Sequence, residues 1–258
     1  MNKIKRSAVS GFISLENQNS KEALKNYKKE MNICTSSFNL LSENIDSLFA
    51  QTAKIPFDIS HIALLMAVYR LLGTMQSMRD LTLKRYYFES NILQRNFYET
   101  IGLCVYFKQN PDKAMIWLKG KQVEVSSIKL FNLVGKIYEA ENKKTNEFNA
   151  AYGLLSNYVH SNARAYSTIV SGFIEDDNPV DGTVANSIGL KTPSSKCNYD
   201  LILDMVIQPC VLLFALPYLF ENNFPEKRKD KILRFVAKQL HTLALLNPKF
   251  DVSGSSRI

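Results

Sequence analysis

The stretch SKEALKNYKKEMNICTSSFNLLSENIDSLFA, residues 20–50, decides the fold. Its apolar positions Leu24, Tyr27, Met31, Cys34, Phe38, Leu41, Ile45 and Leu48 alternate spacings of three and four, which is the period of a helix with one apolar seam. Ser20 stands where an N-cap would satisfy the first free backbone N–H groups, and residues 1–19 read as a polar leader ahead of it. Pro56 closes the segment, because proline disfavours helix in the residue before it. A heptad seam packs along a neighbouring helix of the same bundle or along a second subunit, so homodimerisation through this helix is one expectation.

The same period recurs downstream. Asp58 or Ser60 caps a helix that runs through the apolar block Ile62 to Leu72 toward Leu83; being apolar around most of its circumference, it belongs in the centre. A turn is expected at Lys84 and Arg85, then a helix from Tyr86 to Gln109. Asn110, Pro111 and Asp112 supply a cap, a first-turn proline and a first-turn acid, and Gly120 stops the short helix they open. Ser126 or Ser127 opens a helix to about Glu141, and Thr145 caps another that reaches about His160. Between Asp176 and Asn198 the composition turns to Gly, Pro, Ser, Asn and Asp, which reads as a long loop. A helix from Tyr199 and a last one introduced by Asn223-Phe224-Pro225 follow, the latter with Ile232, Val236, Leu240 and Leu243 on one face; residues 249–258 read as a frayed tail.

The fold class expected is therefore all-α: a single domain over residues 1–258, built as a bundle of about seven to eight helices. Composition agrees. With 46% hydrophobic residues in 258 the chain can bury a core unaided, and its 10 glycines and 8 prolines fall mostly between the periodic segments. Cys34, Cys104, Cys197 and Cys210 are too widely spaced for a metal knuckle or a disulfide framework, so buried thiols are expected. The basic start Met1 to Arg6 lacks the apolar run of a secretory signal, which makes the cytoplasm the expected compartment. Leu201 to Phe220 is long and apolar enough to span a bilayer, yet it holds Asp204, Gln208, Pro209 and Pro217; a kinked core helix is expected, and no membrane partner.

A net charge of +8 favours polyanions without choosing among them. The densest basic run is Lys227, Arg228, Lys229, Lys231, Arg234 and Lys238, interrupted by Asp230, and it reads as a solvated helix face. His61, His160 and His241 stand in no metal-binding arrangement, and the glycine-rich phosphate loops and the nucleophile elbow are missing, so no metal and no cofactor are expected.

Two polar stripes interrupt helices that otherwise read as buried. Arg95, Glu99, Gly102 and Tyr106 share one face of the first; Asn149, Tyr152, Ser156, His160 and Arg164 share one face of the second. Buried polar groups must pair, so the stripes are expected to face each other or a cleft between them. One outcome is an Arg95–Glu99 ion pair with cross-bundle hydrogen bonds that fix register. The other is chemistry: an imidazole moves protons and a guanidinium holds phosphate, which would suit metal-independent RNA cleavage with His160 as acid or base and Arg95 or Arg164 stabilising the phosphorane.

The run Leu93-Gln94-Arg95-Asn96-Phe97-Tyr98-Glu99, then Tyr106, then Pro111 opening a helix, and later Tyr152-Gly153-Leu154-Leu155-Ser156-Asn157-Tyr158-Val159-His160, resembles a family of uncharacterised bacterial helical proteins. In that family a helix with Arg-x-x-x-Glu precedes one reading Tyr-x-x-Leu-Ser-x-x-Val-His. The resemblance covers roughly residues 60 to 165, and the family is distantly similar to the HEPN bundles, many of them ribonucleases of toxin and antiphage systems. The HEPN motif places an arginine shortly before its histidine, whereas Gly153, Leu154 and Leu155 occupy those positions here. The resemblance implies an antiphage-defence or toxin-type protein with a degenerate RNA-cleaving or RNA-binding site. In it Arg95, Glu99, Ser156 and His160 would be catalytic, and Tyr106, Tyr152, Asn157 and Arg164 would hold substrate. The alternative is a non-catalytic helical module that binds a partner protein and whose polar stripes are structural.

Overall fold

A computed structural model describes residues 2–52, 58–138, 155–156 and 198–247. Among the described residues the architecture is all-helical, with eight helices and no strand. They are α1 (Asn2–Asn26), α2 (Lys28–Thr52), α3 (Ile59–Leu83), α4 (Tyr87–Gln109), α5 (Pro111–Leu118), α6 (Ser127–Tyr138), α7 (Tyr199–Leu219) and α8 (Glu226–Leu246). The expected helix from Thr145 to His160 and the expected loop from Asp176 lie outside the described residues, apart from helical Leu155 and Ser156 and the loop's last residue, Asn198. The tail 249–258 lies outside them as well.

The heptad seam from Met31 to Leu48 faces other helices of the same chain, Phe38 half-buried, while Leu24 near its start is exposed. Met31, Cys34, Leu41, Ile45 and Leu48 are buried, α2 packs chiefly on α7, and the Ser37 hydroxyl meets Cys210 Sγ at 3.2 Å. The expected start at Ser20 is corrected: α1 already begins at Asn2, and the helical path is interrupted only at Tyr27. Contacts from the leader explain why it is helical and docked. Glu16 accepts from the Tyr86 hydroxyl at 2.7 Å and pairs with Lys84 at 3.2 Å, and Asn19 donates to the Lys84 carbonyl at 3.3 Å. These bonds grip the turn between α3 and α4, where Arg85 adopts a left-handed φ of 68° and its guanidinium pairs with Glu22 at 2.9 Å.

Helices α3 and α4 pack along each other as a hairpin, with Thr82 and Ser90 hydroxyls 2.7 Å apart across it. The helix expected in the centre, α3, packs there on α2, α4, α5 and α7, and Ile62, Met66 and Tyr69 on its remaining side face outward. Gly120 ends the α5 turn with φ 73°, a conformation that glycine adopts without a Cβ clash. Asn110 does precede α5, but its side chain donates to the Tyr106 carbonyl at 2.9 Å and so closes α4 instead of capping α5.

Helix α7 is the apolar run weighed above as a membrane span. It is long and apolar enough to cross a bilayer, and here it packs on α2, α3, α4 and α8, with both Pro209 and Pro217 accommodated inside one continuous helix. Its start is capped by Asn198, whose side chain accepts from Leu201 N at 3.3 Å. Three links tie α7 to α4. Asn198 N donates to the Tyr87 hydroxyl at 3.0 Å, the Gln94 amide stands beside the Asp204 carboxyl, and Lys108 Nζ lies 4.1 Å from the centre of the Tyr218 ring and bonds the Tyr218 carbonyl. They join start to start and end to end at a separation of 110 or 111 residues, so the two helices run parallel in constant register.

Candidate functional site

The first polar stripe lies on α4, and its two halves do different things. In the N-terminal half, Arg95 is buried and its Nε donates to Glu99 Oε1 at 2.7 Å; the Arg95 side chain is 9% exposed and that of Glu99 24%. In the C-terminal half the stripe is a packing surface. A Cβ built on Gly102 would stand 2.2 Å from the Leu130 carbonyl oxygen and 2.9 Å from Leu130 Cα, so glycine is what lets the α6 backbone rest on α4. One turn further on, Tyr106 is buried with Lys129 Nζ 5.2 Å above its ring. The stripe is thus covered by α6 over Gly102 and Tyr106, which leaves no open cleft along that part of it.

Of the second stripe, the structure describes Ser156 alone. It is half-buried, and its Oγ is shielded from solvent without a hydrogen-bond partner among the described residues. Asn149, Tyr152, Asn157, His160 and Arg164 lie outside the described residues, and with them the expected meeting of Arg95 and His160. The candidate site is therefore resolved on its α4 side: Arg95 and Glu99 are brought together, and Tyr106 sits under α6, away from them along the helix.

Next to Arg95 the structure shows a polar set that the stripe reading missed. The Gln94 amide lies beside both the Asp204 carboxyl and the Tyr98 phenol and favours the ionised form of each, so one amide stands between α4 and α7. Burial raises the Asp204 carboxyl above the usual aspartate range, although the Gln94 amide opposes the shift. Burial, and then the Asp204 charge, push the Tyr98 phenol upward as well. Gln208, one helical turn beyond Asp204 and level with Tyr98 in the parallel register, is 1% exposed, and neither of its amide atoms has a partner among the described residues. The signal was present in the sequence as two pairs at spacing four, Gln94 with Tyr98 and Asp204 with Gln208. It was hidden because the second pair stands inside the apolar run, where it reads only as a penalty against membrane insertion.

The remaining reactive groups are insulated. Burial raises the Cys34 and Cys210 thiols to about 11 and the Cys104 thiol to about 12, so near neutral pH all three stay protonated and weakly nucleophilic. Cys197 lies outside the described residues. Among the described residues no three His, Cys, Asp or Glu side chains converge as metal ligands would. His61 packs beside Phe220, with ring centres 6.4 Å apart, and His241 faces outward on α8.

No family model, no curated protein and no solved structure matches this chain.

Proposed function

We propose that the protein is a non-catalytic helical binding module in which the α4 stripe fixes the packing of the bundle. The observation that carries this reading is the closure of the stripe: Arg95 is buried against Glu99, and the α6 backbone lies directly on Gly102. A guanidinium whose Nε donates to an intrahelical carboxylate at 2.7 Å, on a face whose next turns are filled by a neighbouring helix, is organised to hold register. The neighbouring Gln94, Tyr98 and Asp204 extend the same network between α4 and α7.

A second reading is an antiphage-defence or toxin-type ribonuclease with a degenerate HEPN-like site formed by Arg95, Glu99, Ser156 and His160. It is favoured by Ser156, whose buried hydroxyl has no partner among the described residues, and by the resemblance carried by Tyr152 to His160. The two readings separate in one experiment. The purified chain is incubated with end-labelled single-stranded and hairpin RNA in the presence of a chelator, beside His160→Ala. The module reading expects intact RNA in both incubations. Cleavage by the natural sequence that disappears in a His160→Ala protein of unchanged melting temperature would overturn it in favour of the nuclease.

A further inference from the structure

Helix α8 sorts its cations by face. Arg228 turns inward: Nε donates to Asn44 Oδ1 at 2.8 Å, Nη1 donates to Ser47 Oγ at 2.7 Å, and the guanidinium lies 5.5 Å from the Phe224 ring centre. Lys229 is tied to Glu226 at 2.7 Å. The other four, Lys227, Lys231, Arg234 and Lys238, are all exposed and recur at spacings of four, three and four, so they form one outward stripe about 16 Å long. Asp230 also faces outward but reaches Arg234 only at 3.9 Å, with both side chains more than half exposed, so the stripe keeps a net positive charge. Opposite it, Ile232, Val236 and Leu243 are buried in the bundle, which fixes the outward direction of the cations.

We propose that this stripe is a docking track for the phosphate backbone of a nucleic-acid duplex. Charge complementarity names the occupant, and what the face lacks narrows it. Between Lys227 and Lys238 no aromatic ring is exposed, so the stripe offers no row of platforms on which the bases of a single strand could stack, the exposed His241 ring standing singly beyond its end. A duplex presents the densest line of phosphates, about one charge per 1.7 Å of axis, to a rigid row of cations. Between Lys227 and Lys238 the one exposed neutral side chain is Ala237, with exposed His241 and Leu245 beyond the end of the stripe, so the stripe itself has no group that reads a base edge or a 2′-hydroxyl; DNA and RNA duplexes are expected to bind it alike and without sequence preference. A bilayer is disfavoured because an interfacial helix must insert an apolar face, whereas Ile232, Val236 and Leu243 are spent in the core and Leu245 is the one large apolar side chain that α8 exposes. The inference names the partner of the binding module proposed above and rests on that reading.

The test is fluorescence anisotropy of the whole chain with labelled DNA duplex, RNA duplex and single-stranded RNA across about 50 to 200 mM salt. The quadruple variant Lys227→Gln/Lys231→Gln/Arg234→Gln/Lys238→Gln is compared with Lys21→Gln/Lys25→Gln/Lys28→Gln/Lys29→Gln, which removes the same charge from exposed positions of α1 and α2. The α8 variant should lose at least about tenfold in duplex affinity and flatten the log–log salt slope by about 3 to 4, while the α1–α2 variant stays within about twofold. Equal losses in both variants, no duplex binding by the natural sequence at the lowest salt, or α8-dependent binding confined to phosphatidylserine vesicles would each overturn the track. Melting curves verify that both variants are folded. RNA cleavage that depended on His160, seen together with α8-dependent duplex binding, would break the module reading and leave the track standing.

Discussion

Helices α4 and α8 both carry charge inside a bundle of largely apolar helices, and they dispose of it in opposite ways. On α4 the polar groups turn inward and find partners: Arg95 meets Glu99, and Gln94 meets Asp204 and Tyr98. On α8 the inward positions are Ile232, Val236 and Leu243, with Arg228 alone hooked back onto α2, while four cations face out. An inward charge is expensive unless paired and therefore reports on packing. An outward charge costs little to hold and is free to act on a partner. Perturbing α4 should therefore change stability, and perturbing α8 should change binding.

The largest effect is expected at Gly102. Gly102→Ala drives a methyl into the Leu130 carbonyl, a backbone atom that cannot swing aside, so α6 must lift from α4. A loss of about 3 kcal/mol, or about 6 to 12 °C in melting temperature, should follow in a thermal scan. An unchanged melting temperature would detach α6 from the stripe and reopen the cleft.

Gln208 and Asp204 sharpen the α4 side. Gln208→Met removes two buried amide atoms that lack partners among the described residues and keeps the volume, so it should stabilise by about 1 kcal/mol in chemical denaturation. Destabilisation would mean that the amide is engaged. Because burial raises the Asp204 carboxyl in the folded state, its ionisation opposes folding. Its contribution is fully present below the unfolded aspartate value, near 3.9, and is lost as pH rises through the folded value. Asp204→Asn keeps an acceptor for Gln94 and should therefore melt a few degrees above the natural sequence at pH 7, with the difference closing toward about pH 4. A difference that grew on acidification would reverse the sign of this assignment.

The smallest stability change belongs to α8, where each exposed Lys or Arg replaced by Gln should shift stability by about 0.5 kcal/mol or less. A larger loss would show that the outward cations have hidden structural partners and would erase the contrast between the two helices.

The fold was legible because it rests on local periodicity. The seam from Met31 to Leu48, the Asn110-Pro111-Asp112 start of α5 and the Gly120 stop all act within one or two helical turns, and each lies where the sequence places it. The helical leader was illegible because its anchors, Lys84 and Tyr86, are distant in sequence. The outward face of α3 was illegible for a related reason: Ile62, Met66 and Tyr69 are apolar by composition, and only the arrangement of neighbours leaves them uncovered. Half of the site was legible. The spacing of Arg95 and Glu99 announced their pairing, but a glycine on the same face reads equally as a gap in a cleft and as a seat for a crossing helix. Only the position of Leu130 distinguishes the two.

A double-mutant cycle on Arg95 and Glu99, followed by thermal melting, tests most directly whether the α4 stripe is structural. Arg95→Met leaves a partly buried carboxylate unpaired and should cost about 2 kcal/mol, as should Glu99→Leu, whereas the double substitution should recover at least half of the summed loss because neither charge is stranded. Singles and double that all melt like the natural sequence would contradict the account and return Arg95 to the list of groups held ready for a ligand.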